Sequence, residues 1–205
     1  MAAYKSVDLY GGAIRADLPT NFGDVSDIRQ VPDTQEVFLD KDGFTSIVFD
    51  ILERVGEEEN CKTDLEALKY HLEDIVEDDT EGTQVWETNS AFLQKLPNTT
   101  TNPIQSYTLL ATQQHQSPPT QTSTATSKPP KPTPDFTAIT ILLIRLEAHK
   151  TDIVISINVP HSPGEYDPAD VNLEAAKKGA LIERALAHRE RILQTFEIRE
   201  WGLFV

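Results

Sequence analysis

Cysteine is nearly absent: Cys61 stands alone in 205 residues, so no internal disulfide can form and the fold makes no use of an oxidising compartment. A cytosolic or nuclear setting fits. The thiol follows Glu57, Glu58 and Glu59, whose field raises its pKa, so an inert side chain is expected. Long apolar runs are lacking too. The longest, residues 138–146, is interrupted by Arg145 and is far too short for a bilayer, and the N-terminus has no basic stretch ahead of an apolar core. Neither secretion nor a membrane span is expected.

Basic residues are scarce. Lys and Arg number 18 against 33 Asp and Glu, a formal charge of -15. Residues 24–81 hold 19 of the acids and 5 of the bases, a local balance of -14 that accounts for nearly the whole value. Such a one-sided field repels nucleic-acid phosphates and anionic lipid headgroups, and it draws basic protein surfaces at rates that fall with salt. A basic protein partner is therefore expected, with no nucleic acid and no membrane. A solvated acidic face that serves solubility alone is the plainer account of a charge run.

Signatures of chemistry are missing as well. Gly11-Gly12 lacks the Lys-Ser/Thr ending and helix start of a phosphate loop. No histidine stands in zinc-ligand spacing with cysteine, and there is no G-x-S-x-G elbow. His71 beside Glu73 and Asp74 hints at a metal, but these positions diverge around a helix axis, so capping or surface pairing explains them better. Asp24, Asp27, Asp33, Glu36, Asp50 and Glu53 offer paired carboxylates for acid/base work, yet no cleft can be read from sequence. No catalytic residue, metal or cofactor is expected.

What is present is a foldable chain, 39% apolar, read as a single domain over 1–205. Residues 113–135 hold six prolines, eight Ser or Thr, and no Val, Ile, Leu, Met or aromatic residue; that composition suits a disordered excursion or a PxxP-like ligand, not a core. Strands are expected on both sides of it, at 106–111, 137–146 and 151–159, with 147–150 as a hairpin turn. The insertion then interrupts a hairpin of one sheet. Shorter strands fit 7–10, 13–18 and 35–39. Residues 46–53 fit either period; their β-branched and aromatic content favours strand. Thr63-Asp64-Leu65-Glu66 has capping-box spacing and opens a helix over 63–76. A second helix is expected over about 173–196, then a short strand near 198–201. The fold class is thus α+β, a mainly antiparallel sheet covered by helices.

Five stretches occur in order across nearly the whole chain: LYGGAI at 9–14, DVSDIRQVPDTQEVF at 24–38, SIVFDILE at 46–53, HLED at 71–74 and TDIVISINVP at 151–160. Together they resemble the Mog family, the Ran guanine-nucleotide release factors. The resemblance implies an α/β/α sandwich with a central antiparallel sheet, related to the photosystem extrinsic protein PsbP. It implies a protein that binds the Ran GTPase, releases its nucleotide, chiefly GTP, and supports nuclear protein import. The Pro/Thr-rich insertion has no counterpart in the family pattern.

Two acidic elements carry the implied partner site. The D-x-S-x-x-R-x-V-P-D-x-Q-E pattern falls on Asp24, Ser26, Arg29, Val31, Pro32, Asp33, Gln35 and Glu36, with Asp27 inside it, and D-x-x-E falls on Asp50 and Glu53. Carboxylates can pair with Lys and Arg of a GTPase, and Pro32 stiffens the loop so that docking orders less chain. Plainer roles stand beside these. Asp24 or Ser26 can cap a short helix near Val25, and Glu36 can be an edge-strand charge against stray pairing. Asp50 interrupts a strand face shared with Val48 and Leu52 and so needs a partner or water. The rival function is an acidic escort for basic nuclear clients, without effect on nucleotide. A monomer is expected, in the nucleus with some in the cytoplasm.

Overall fold

The computed structural model describes residues 2–26, 31–77, 81–96, 104–115 and 133–204. Among them two sheets form, and every strand pairing is antiparallel. The larger has seven strands in the order β3-β4-β5-β9-β8-β7-β6: β3 (Phe22–Asp24), β4 (Gln35–Asp40), β5 (Ser46–Glu53), β6 (Thr83–Ser90), β7 (Gln105–Gln114), β8 (Phe136–Leu146) and β9 (Thr151–His161). The smaller places β2 (Ile14–Pro19) between β1 (Tyr4–Leu9) and β10 (Glu197–Ile198).

Period-two alternation decides which side chains meet. In β9, Ile153, Ile155, Ile157 and Val159 face one way and join Ile47 and Phe49 of β5 in a core closed by β2 and helix α2 (Gly179–Thr195). Each such side chain contributes about 1.5–3 kcal/mol on burial. Val154 faces the other way, where Leu109, Ile141 and Leu143 meet Ala67, Leu68 and Leu72 of helix α1 (Asp64–Ile75). The large sheet is therefore the middle layer, with α1 on one side and α2 plus the small sheet on the other, as the α/β/α expectation required.

Helix α1 starts at the expected capping box: Glu66 N–H donates to Thr63 Oγ1 at 3.2 Å, and Thr63 N–H donates to Glu66 Oε2 at 2.8 Å. Residues 46–53 form a strand. The insertion does sit within a hairpin, since Gln114 of β7 pairs with Phe136 of β8. That pairing draws Gln113 and Gln114 out of the expected excursion and into β7, while residues 116–132 lie outside the described residues. The second helix is shorter than expected. Asn172 and Lys177 close a loop by exchanging two backbone hydrogen bonds, and Gly179 adopts φ 71°, so helical geometry cannot begin upstream of it. Trp201 opens a 3-10 turn and not a strand.

Candidate functional site

The sequence of α1 places His71 on its inner face, one turn from Leu68 and one turn from Ala67, with the buried Leu72 next to it in sequence. His71 is buried, and its Nε2 donates to Asp152 Oδ2 at 3.0 Å; it neither caps a helix nor pairs at the surface. Asp152 also accepts from Arg145 Nε at 3.0 Å and from Val55 N–H at 3.2 Å. Arg145 reaches on to Asp64 Oδ1 at 2.6 Å and to the Val55 carbonyl, and the Tyr107 hydroxyl donates to Asp64 Oδ2 at 2.6 Å. Asp152 is fully buried and Arg145 only 4% exposed, so each charge is compensated by several hydrogen bonds, as the low-dielectric interior demands. Burial first and the Asp64 hydrogen bond second push the Tyr107 phenol up to about 12. This network fastens the first turns of α1, and the segment that follows β5, to β8 and β9.

Helix α1 covers only part of the sheet. Toward β4 and β5 the same face stays open, and a groove of about 490 Å³ runs between that face and the C-terminal half of the helix. Gln35 and Val37 of β4 lie opposite Asp50 and Val48 of β5 in register. Asp74 and Ile75 of α1 form the far wall, and Phe44, 61% exposed in the β4–β5 turn, stands at the rim.

Asp50 is the chemically distinctive group here. Its Oδ2 accepts from Gln35 Nε2 at 2.8 Å. Burial raises its carboxyl above the usual range, the Gln35 hydrogen bond opposes that, and nearby Asp74 adds to it. Its hydrogen-bonded side-chain partner is neutral, so a half-buried negative charge sits between Val48, Leu52 and Val154 with no cation bonded to it among the described residues, an arrangement suited to a cationic group.

The other expected partner residues are dispersed. Asp24 ends β3 and its Oδ1 accepts from Ser26 N–H at 2.9 Å and Ser26 Oγ at 2.7 Å, while Ser26 Oγ accepts from Val37 N–H at 2.9 Å. Asp24 and Ser26 thus pin the loop to β4 and cap no helix among the described residues. Asp27 and Arg29 lie outside those residues. Pro32 and Asp33 are exposed in the turn that leads into β4, where Gln35 N–H donates to the Pro32 carbonyl at 2.9 Å. Glu36 faces the opposite side of the sheet and accepts from Tyr10 N–H at 2.6 Å; β4 lies between β3 and β5, so Glu36 is not the edge-strand charge considered above. Glu53 is exposed at the end of β5 and, three residues from Asp50, also points to the other side. The D-x-x-E pair is split between two faces. Asp74 and Phe44 were absent from the sequence-derived set; strand period for β5 and helical spacing for α1 would have paired Asp50 with the α1 wall only once the packing of α1 on that face was known.

Cys61 is buried, and burial first, then Glu66, pushes its thiol up. The upward direction is the one expected, although its main cause is desolvation and not the preceding glutamates.

A sequence profile described as Ran-interacting Mog1 protein matches residues 7–160. The chain belongs to the Mog1 family. A nuclear import protein MOG1 of Saccharomyces cerevisiae is 33% identical over 98% of this chain and 84% of its own length. A probable Ran guanine nucleotide release factor of Dictyostelium discoideum is 30% identical over 98% of this chain and 97% of its own. Among solved structures, the crystal structure of the Saccharomyces cerevisiae Ran-binding protein Mog1p superposes with a TM-score of 0.67 at 26% identity, covering 100% of both chains. The sheet order and helix layers above are thus those of a Mog1 fold.

Proposed function

We propose that this Mog1-family chain binds the Ran GTPase and promotes release of its guanine nucleotide, chiefly GTP, in support of nuclear protein import. It acts by binding and carries out no covalent chemistry. Release is accelerated only if the factor holds the nucleotide-free or loosened GTPase more tightly than the loaded one, because equal affinity shifts no equilibrium. The observation that carries the reading beyond kinship is Asp50: a half-buried carboxylate in an open groove, beside Asp74 and flanked by Val48, Leu52 and Val154, suits a protruding basic side chain with apolar neighbours. The turn carrying Pro32 and Asp33 extends the acidic surface, and Glu53 adds an exposed carboxylate on the other face of β5. Asp24, Asp27, Arg29 and Glu36 belong to the same partner segment; of these, Asp24 and Glu36 hold its strands in place.

The molecule works as a monomer, one unit over 1–205 with the Pro/Thr-rich stretch after Gln114 as an insertion, located in the nucleus with some in the cytoplasm. The deciding measurement is release of a fluorescent guanine nucleotide from purified Ran. The Asp50→Lys, Glu53→Lys double variant, folded by circular dichroism, is expected to lose most of the acceleration. Rates equal to wild type remove both residues from the site.

A further inference from the structure

A second cleft, of about 490 Å³, lies at the end of β5. It is built where the β5–β9 ladder runs out. Glu53 pairs with Thr151, and one step further Arg54 N–H donates to the Lys150 carbonyl at 2.8 Å, which sets Arg54 and Lys150 side by side. Lys150 adopts φ 50° to close the β8–β9 turn. The 3-10 turn Trp201–Leu203 and Phe204 supply the opposite wall. That wall is held in place by His149, whose ring stacks on Trp201 at 5.4 Å.

Three features single out this cleft. Among the described residues no acceptor reaches the buried Nε of Arg54, an unusual state for a guanidinium nitrogen that costs free energy until an acceptor arrives. Among the described residues neither Arg54 nor Lys150 takes part in an ion pair, although the chain carries a net charge of -15 and acceptors abound. Beside these cations lie Ile51, Leu52, and Leu203, the last 36% exposed. Glu53 is the one carboxylate in the lining.

We propose that this cleft docks an acidic peptide segment of a protein partner, in which a carboxylate is accepted by Arg54 and Lys150 and a neighbouring apolar side chain lies against Leu203 and Ile51. The Arg54–Lys150 pair is opposite in sign to the net charge of the chain, so it selects ligands that the chain as a whole repels. A free phosphate satisfies the cations but leaves the apolar wall wet; an acidic peptide satisfies both. This inference does not rest on the Ran reading, because its test contains no GTPase.

The experiment is heteronuclear NMR of the full chain titrated with three probes: a short blocked peptide of alternating glutamate and leucine, its lysine and leucine counterpart, and inorganic phosphate. The acidic peptide is expected to shift the Arg54 Nε–H resonance and the amides of Lys150, Thr151 and Leu203 saturably. Phosphate is expected to shift the Arg54 resonance more weakly and leave Leu203 in place. Lys150→Gln, an exposed change that spares the fold, and Arg54→Gln should each weaken peptide binding by about tenfold or more. Equal binding of the lysine peptide, equal strength with phosphate, no saturable shift, or full binding by Lys150→Gln would each overturn the proposal.

Discussion

Asp50 is a carboxylate whose burial works against the fold. Burial raises its folded pKa, so in the pH interval just above the ordinary aspartate value the folded state binds more protons than the unfolded chain. Stability contributed by this group therefore falls as pH rises through that interval, and at neutral pH the ionised form is a net cost. Asp50→Asn keeps an acceptor for Gln35 Nε2 and removes the charge. Urea denaturation at neutral pH should show the variant more stable by roughly 0.5 kcal/mol, a small gain because the groove is open to solvent. Nucleotide release from Ran should slow in the same variant. A loss of stability together with unimpaired release would assign Asp50 to the scaffold instead.

Among the elements, α2 depends on a histidine kept neutral. His188 is buried at 3% exposure, bonded through Nδ1 to the Tyr4 hydroxyl at 2.9 Å, with Tyr4 and Phe22 edge-on to its ring. Burial first, then Arg184, lowers its pKa to about 4, with Asp40 opposing. The unfolded chain takes up a proton near the ordinary histidine value while the folded one does not, so acidification between these limits favours unfolding. The full shift corresponds to at most about 3 kcal/mol. Denaturation midpoints of wild type and His188→Gln, followed from pH 7 down to 4.5, should converge as pH falls, because only wild type carries this penalty. Parallel curves would show that the ring titrates normally in the fold.

Legibility in sequence tracked how locally each element is specified. The capping box at Thr63 and Glu66 and the alternation in β9 are local patterns, and both elements formed where they were expected. Strand β6 was overlooked because it is an outer strand whose residues are mostly exposed or half-buried, and a bulge between Val85 and Glu87 breaks its period. Strand β3 has three residues, too few for any period. The start of α2 was misplaced because apolar spacing continues upstream into Leu173, while what stops the helix there is a local turn without a periodic signature, the Asn172–Lys177 loop followed by Gly179 at positive φ. Within the candidate site, Asp50 was legible as a carboxylate on an apolar face; its neighbour Asp74 was not, because the two are 24 positions apart and meet only through the packing of α1.

For the whole molecule, the Pro/Thr-rich insertion is attached at a closed end. The β7–β8 ladder is paired up to Gln114 and Phe136, and Phe136 lies opposite His161, at the far end of β9 from Thr151 and Glu53. Loop-closure entropy changes by only about 0.6 kcal/mol for each doubling of length. Replacing residues 116–132 by a short Gly-Asn turn is therefore expected to leave the urea midpoint nearly unchanged and the nucleotide-release rate at the wild-type value. A collapse of either would give the insertion a role in the fold or at the partner.

The alternation of β5 has a geometrical corollary for anything that docks there. Asp50 and Glu53 are separated by about 10 Å of strand and point to opposite sides of the sheet. A flat surface cannot reach both; a molecule that engages the two must straddle the strand end, one prong on each side. Double-mutant coupling between these positions thus reports on the shape of the visitor as much as on its charge.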